Sequence, residues 1–189
     1  VGLGNTLLLS GDMHSAKTHF ERAVASDDEY AAAHLQLGVV SHRLGEKSAA
    51  AESLRAYLEL KPNSEIGHTR LATVLTELGE MRAAKSHFES AIQINPQAIE
   101  AANGLAWILA MADDVELRDG PRALELATLA AEGTKFSNPG CLDTLAAAFA
   151  ECGDFENAVK WQQRAVSLLP PAQRGTLEKR LELYRSKDK

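Results

Sequence analysis

Six histidines are the residues of this sequence whose chemistry could support a metal site or acid–base catalysis. Their spacing argues against both roles, because His34 and His68 lie 34 residues apart and His19 and His87 lie twice that distance apart. Side chains that recur at a fixed period are typical of structural positions in a repeat. The sequence also contains no His-Glu-x-x-His, nucleophile elbow or phosphate-binding glycine loop. It therefore predicts no catalytic residue, no metal site and no cofactor.

The remaining candidates for chemistry fit structural roles. Cys141 and Cys152 are predicted to be small buried side chains on one helix, roughly 16 Å apart and beyond disulfide reach. The acidic segment 113–119 lacks the spaced oxygen ligands and central glycine of a calcium loop, so we expect a solvated loop. A basic C-terminal tail is also expected to be solvated, since it lacks aromatic residues that stack on bases. It comprises Lys179, Arg180, Arg185, Lys187 and Lys189.

Composition narrows the classes of function. The chain has 189 residues and a formal net charge of −6, which argues against a domain whose main role is binding nucleic acid. No apolar run approaches the roughly 20 residues that cross a bilayer, so we expect no membrane insertion. Hydrophobic residues make up 45% of the chain, so it can form a core.

The sequence contains an internal repeat. When residues 31–64 are aligned with residues 65–98 at a period of 34, leucine, alanine, glycine and proline columns fall in register. One column holds Leu3, Leu37, Leu71, Leu105 and Leu145, and another holds Ala16, Ala50, Ala84, Ala123 and Ala158. Two complete columns together establish the repeat.

Each repeat predicts two antiparallel helices. In residues 65–98, an apolar series at helical spacing ends at Gly79, which suits a turn, and a second series ends near Pro96, which cannot continue a helix. Small residues such as Gly38 and Ala72 let the two helices approach closely. Two short helices cannot bury both faces alone, so adjacent repeats must stack.

In these columns the sequence resembles the tetratricopeptide repeat (TPR) family. The resemblance implies an all-α fold, a right-handed α–α superhelix of helix-turn-helix repeats that ends in a capping helix. The sequence departs from the family pattern at two positions. The usual aromatic residue is replaced by His34, His68, Ala102 and Leu142, and the usual proline is replaced by Asp28 and Lys135. The segment from the fourth repeat onward also resembles the closing repeats of many bacterial members.

The predicted organisation is a repeat array over residues 1–172, followed by a capping helix and charged tail over residues 173–189. The repeats are 1–30, which starts inside its first helix, then 31–64, 65–98, 99–138 with an insert, and 139–172. In the capping helix Leu177, Leu181 and Tyr184 share one stripe. The truncated start leads us to expect that the chain is the C-terminal part of a longer protein.

The resemblance implies a concave groove lined by the first helix of each repeat. The family's partner-contacting positions fall on Asn5, Gln36, Val39, His42, Arg43, Arg70, Glu77, Asn103, Trp107 and Asp143. The second and third repeats offer Arg43 and Arg70, whereas the fourth and fifth offer Glu100, Asp143 and Glu151 without a base. This segregation would orient an extended peptide; ordinary scatter of surface charge is the alternative. Trp107 is either an aromatic anchor for the partner or a core residue under the insert.

Some family members bind the C-terminal carboxylate of heat-shock chaperones through two Lys, two Asn and one Arg. In this sequence Asn5, Gln36 and Arg70 stand at three of those places, but Val1 and Ile66 replace both lysines. The loss of two charged donors argues against that ligand. A looser contact between Arg70 and a carboxylate stands as a hypothesis.

The sequence thus predicts a non-catalytic protein–protein interaction scaffold that binds a partner peptide or helix in its groove. One alternative is the targeting or regulatory arm of a larger enzyme or sensor. The other is a self-assembling scaffold, a homo-oligomer in which each copy inserts into the groove of the next.

Overall fold

The structure, a computed structural model, describes the backbone of residues 2–9 and 11–187, and the side chains of residues 3, 5, 8 and 9 lie outside the description. The described part of the chain forms α-helices, two short 3-10 helices and no strand, which confirms the predicted all-α class. The α-helices are α1 (Gly2–Leu9), α2 (Met13–Ser26), α3 (Ala31–Arg43), α4 (Lys47–Leu60), α5 (Glu65–Glu77), α6 (Met81–Ile94), α7 (Ile99–Met111), α8 (Gly120–Gly133), α9 (Pro139–Glu151), α10 (Phe155–Ser167) and α11 (Gly175–Lys187). They divide into two compact units, unit 1 at Val1–Pro96 and unit 2 at Gln97–Lys189.

Most turns between paired helices depend on one glycine. The φ angle is +84° at Gly11, +81° at Gly45, +82° at Gly79 and +80° at Gly153, a left-handed conformation that side chains with a Cβ rarely adopt. Between α7 and α8 the chain instead leaves the helix at Ala112 and passes through a 3-10 helix at Val115–Leu117. The acidic insert is therefore partly ordered.

Small residues set how closely paired helices approach. The alanine column is fully buried, at Ala16, Ala50, Ala84, Ala123 and Ala158. A Cβ added to Gly38 would lie 2.6 Å from Leu54, and one added to Gly4 would lie 2.5 Å from Phe20. At Gly4 and Gly38 a larger side chain would therefore displace the facing side chain or the helix that carries it.

The first-helix histidines have equivalent structural contacts. The Nε2 of His34 lies 2.8 Å from the Asp28 carbonyl oxygen, and the Nε2 of His68 lies 2.9 Å from the Pro62 carbonyl oxygen. The two rings thus hold the preceding loop in the same way in successive repeats. His68 also hydrogen-bonds through Nδ1 to the Nδ1 of His87, at 2.9 Å. Burial, together with nearby His68 and Arg55, lowers the pKa of His87.

In unit 2 the last helix buries its predicted stripe. Leu181 and Tyr184 of α11 are buried, and Tyr184 packs on Ala146 and Ala158. Leu177, the third member of the stripe, is half-buried. The last repeat of an array would otherwise expose apolar surface, and a helix of this kind covers that surface.

The two cysteines differ from each other. Both are free, and Cys141 is buried as expected. The prediction that Cys152 is buried is wrong: it is exposed. The reason is its place at the C-cap of α9, directly before the Gly153 turn, rather than on the packed face of the helix.

Candidate partner-binding surface

Four of the predicted groove residues of unit 1 line one pocket. Val39, His42 and Arg43 come from α3, and Arg70 comes from α5, the first helix of the next repeat. The pocket has a volume of about 80 Å³, and its other lining residues are Gly38, Leu54 and Val74. A space of this size matches a small group such as one carboxylate rather than a whole ligand.

The mouth of this pocket is basic. Arg43 and Arg70 are exposed, and His42 and Arg43 occupy the last turn of α3, where the helix dipole favours positive charge. Val39 and Val74 supply apolar wall. Two guanidinium groups beside an apolar wall can bind a carboxylate through charge-assisted hydrogen bonds.

Glu77 joins this surface through ion pairs. Its carboxylate lies 2.9 Å from His42 Nε2 and 3.1 Å from Lys47 Nζ, so it connects α5 to α3 and to the start of α4. Burial alone would raise the pKa of Glu77, but the hydrogen bonds from His42 and Lys47 outweigh it and lower the pKa. Lys47 was not among the predicted residues. Its place just after the Gly45 turn, facing the next repeat, is the signal that could have found it.

The remaining predicted residues of unit 1 do not join the pocket. Gln36 is half-buried on α3 and is absent from the pocket lining. The side chain of Asn5 lies outside the described part of the chain, as do Val1 and Lys189.

In unit 2, Asp143 is engaged by the chain itself. It is 9% exposed, accepts a hydrogen bond from Gln162 Nε2 at 2.7 Å, and forms an ion pair with Arg180 of α11. Glu151 pairs with Arg118 at 3.5 Å. The expectation that the acidic groove positions of the later repeats lack a base is therefore wrong for both residues. It counted only first helices, whereas the bases come from the insert and from the capping helix.

Arg180 corrects a second expectation. Its side chain is only 15% exposed, so this part of the basic tail is not a solvated face. The guanidinium carbon lies 4.8 Å from the centre of the Trp107 ring, a cation–π contact. Trp107 is half-buried, and thus lies between the two predicted alternatives. The missed signal is that Arg180 directly precedes Leu181 and stands four residues before Tyr184, at the edge of the buried stripe.

Unsatisfied polar atoms mark this part of unit 2. Asn103 is half-buried, and its Oδ1 has no hydrogen-bond partner among the described residues. The same holds for Oε1 of the fully buried Gln162 and for the hydroxyl of Tyr184. Burial raises the pKa of Tyr184 above its ordinary range, despite the nearby Arg180.

The described residues offer neither a metal cluster nor a membrane-spanning helix. They contain no group of three or more His, Cys, Asp or Glu side chains placed to hold a metal ion. None of their helices combines the length and the apolar character that crossing a membrane requires.

Family models agree with the repeat pattern. Two models described as tetratricopeptide repeat match residues 1–65 and residues 67–98. The chain belongs to the tetratricopeptide repeat family. A comparison with curated proteins found no match.

Solved structures show the same fold. MamA is 21% identical, with a TM-score of 0.72 and coverage of 87% of this chain and 93% of its own. YrrB is 18% identical, with a TM-score of 0.73 and coverage of 95% and 90%. PilF of Pseudomonas aeruginosa is 19% identical, with a TM-score of 0.74 and coverage of 99% and 83%. The α–α superhelix class is thereby confirmed, and it supports a protein–protein interaction scaffold, since TPR proteins bind protein or peptide partners.

Proposed function

We propose that the chain is a non-catalytic scaffold that binds an acidic segment of a partner protein on the first-helix face of unit 1. The observation that carries the proposal is the pocket that gathers Val39, His42, Arg43 and Arg70 from two successive repeats. These four of the predicted positions line the same pocket, and the two arginines among them suit a carboxylate ligand.

In the proposed complex each side chain has a distinct part. Arg43 and Arg70 provide the charged donors, and the partly exposed Val39 contacts the apolar part of the peptide. The Glu77 carboxylate fixes His42 at 2.9 Å. A peptide bound here would place an Asp or Glu side chain, or its own terminal carboxylate, between the two guanidinium groups. YrrB is described as a TPR protein with an unusual peptide-binding site, which supports a peptide as ligand for this fold.

A displayed library tests the proposal without a known partner. Random peptides displayed on phage are selected on the wild-type chain at low salt, and the enriched peptides are synthesised and titrated by fluorescence anisotropy. We expect enrichment in Asp and Glu, and at least a tenfold (about 1.4 kcal/mol) loss of affinity in the Arg43→Ala, Arg70→Ala double variant.

The matched control is Arg22→Ala, Lys61→Ala, which removes two exposed positive charges of unit 1 from outside the pocket. It should retain the wild-type affinity within about twofold. Peptides without acidic enrichment, or equal losses in the two double variants, would show that the pocket is not the binding site.

A further inference from the structure

A second pocket in unit 1 lies on the other face of α3. It opens between α2 and α4, and α3 forms its floor through His34, Leu37 and Ser41. Its volume is about 330 Å³, at the lower end of ligand-binding pockets. The linings of this pocket and of the proposed peptide site have no residue in common, so the two pockets are separate.

The next junction of the same unit shows how this space is otherwise filled. One period later, Leu75 stands in place of Ser41 and His87 in place of Ser53. Leu75 is 1% exposed, and His87 reaches across to His68 in the hydrogen bond described above. The pocket therefore exists because small side chains occupy positions that larger ones fill in the following repeat. The two junctions of unit 1 thus differ at this place.

The groups around the pocket are mainly hydrogen-bond acceptors. Glu52 of α4 is exposed and has no ion-pair partner among the described residues, and Glu21 of α2 lies on the opposite rim. Lys17, the one cation of the lining, already pairs with Glu46 at 2.5 Å and with Glu21 at 3.6 Å. In the tautomer that carries the proton on Nε2, His34 donates a hydrogen bond to a backbone carbonyl oxygen. Its Nδ1 is then a hydrogen-bond acceptor.

The floor carries an unsatisfied polar group. Ser41 is 1% exposed, and its hydroxyl has no hydrogen-bond partner in the described part of the chain. Buried hydroxyls are normally paired, because an unpaired one loses its hydrogen bonds with water and gains none in return. Val24, Leu37 and Ala56 add apolar wall beside it. The pocket thus offers an apolar channel, an unpaired hydroxyl at its base and carboxylates at its rim.

We propose that this pocket binds the arginine side chain of a partner protein. The alkyl stem would lie between Val24 and Ala56, and the guanidinium, which has five donors and no acceptor, would donate to the Ser41 hydroxyl at the floor. The carboxylates of Glu21 and Glu52 at the rim would supply the opposite charge. A lysine side chain has the charge but not the planar fork, and is expected to bind more weakly. The inference goes beyond the proposed function, because it adds a second, oppositely charged contact on another face of the same unit.

Titration of a minimal probe tests this inference directly. Acetyl-arginine amide is added at low salt, up to about 50 mM because one side chain binds weakly, to the isotope-labelled chain, and amide chemical shifts are followed. We expect the largest shifts at the pocket residues of α2, α3 and α4. Acetyl-citrulline amide, which has the same shape without the charge, should bind at least about tenfold more weakly.

Two variants make the test specific. Glu52→Gln should weaken binding of the arginine probe several-fold, whereas Glu89→Gln, which removes an exposed carboxylate of α6 outside the pocket, should leave it unchanged. Ser41→Leu installs the residue that the next repeat carries, and should abolish binding while the remaining spectrum stays that of a folded chain.

Three results would overturn the inference. They are the absence of saturable shifts, equal binding of the citrulline probe, and equal effects of Glu52→Gln and Glu89→Gln. Shifts centred on Glu77 and its neighbours would place the probe on the other face and would also contradict it. None of these results bears on the acidic-peptide proposal, because its variants lie at Arg43 and Arg70.

Discussion

The first-helix face of unit 1 carries exposed Arg43 and Arg70, whereas the first-helix face of unit 2 carries Asp143, which is buried and paired with Arg180 of the chain's own last helix. Both are charged residues at predicted groove positions. The difference is that α11 supplies Asp143 with an ion-pair partner and covers it in unit 2, whereas Arg43 and Arg70 in unit 1 are exposed. A charge at a groove position is thus evidence of partner binding only after the chain's own elements have been considered.

The largest effect is expected when the unit 2 pairing is broken. Arg180→Ala should lower the free energy of unfolding of unit 2 by about 3 kcal/mol, because it leaves Asp143 buried without its ion-pair partner. It also removes the cation that stacks on Trp107. Urea denaturation followed by circular dichroism measures the loss, and hydrogen exchange locates it in α11 and its neighbours.

Two further variants sharpen this measurement. Arg185→Ala removes an exposed arginine from the last turn of the same helix and should cost less than about 0.5 kcal/mol. Adding Asp143→Asn to Arg180→Ala should recover part of the loss, since the unpaired charge is then gone. If Arg180→Ala and Arg185→Ala were equally mild, the pair would not be what holds α11 in place.

The sequence predicted the helices well because burial repeats with the period. Leucine, alanine and glycine columns indicate packing within and between helix pairs. Gly45 and Gly79 indicate turns that require a left-handed backbone conformation. The resemblance to the family, rather than the burial period, indicated Val39, His42, Arg43 and Arg70 as groove positions, and they line one pocket because first helices of successive repeats are neighbours in a stacked array.

The repeat pattern does not predict contacts of residues that have no counterpart in the other repeats. Arg180 belongs to the capping helix, which has no counterpart column, and it reaches Asp143 across 37 positions of sequence. The second pocket was within reach of the alignment, because Ser41 stands where Leu75 stands one period later. The signal for this pocket was a small polar residue in a column that otherwise holds large apolar residues.

A smaller effect is expected at the ion pairs of unit 1. Glu77→Gln should lower the free energy of unfolding at pH 7 by about 0.5–1 kcal/mol, because the carboxylate is partly exposed and its contacts with His42 and Lys47 are screened by solvent. Since these contacts lower the pKa of Glu77 in the folded chain, the stabilisation is present above the ordinary pKa of 4.5 and is lost as the pH falls through the folded value.

The pH dependence separates this interaction from packing. Urea midpoints measured from pH 7 down to acid should fall less steeply below about pH 4.5 in Glu77→Gln than in the wild type. Glu89→Gln serves as the control, because Glu89 is exposed and forms no ion pair within the described residues. Parallel curves for Glu77→Gln and the wild type would mean that the carboxylate contributes no pH-dependent stability.

The smallest effect is expected at Arg43, and it is the one that decides whether the comparison between the two units is correct. Arg43→Ala should change the free energy of unfolding by no more than about 0.5 kcal/mol, because the side chain is exposed and contributes mainly to the dipole of the last turn of α3. Arg43→Lys keeps the positive charge and should leave the free energy of unfolding unchanged. It thereby separates the interaction with the helix dipole from other contributions of the side chain. If Arg43→Ala proved as costly as Arg180→Ala, the arginine of unit 1 would be structural like that of unit 2. If Arg43 acts in partner binding, Arg43→Ala should leave the urea midpoint unchanged and lower the affinity for the peptide. The reason is that the favourable contacts of such a residue are made only in the complex.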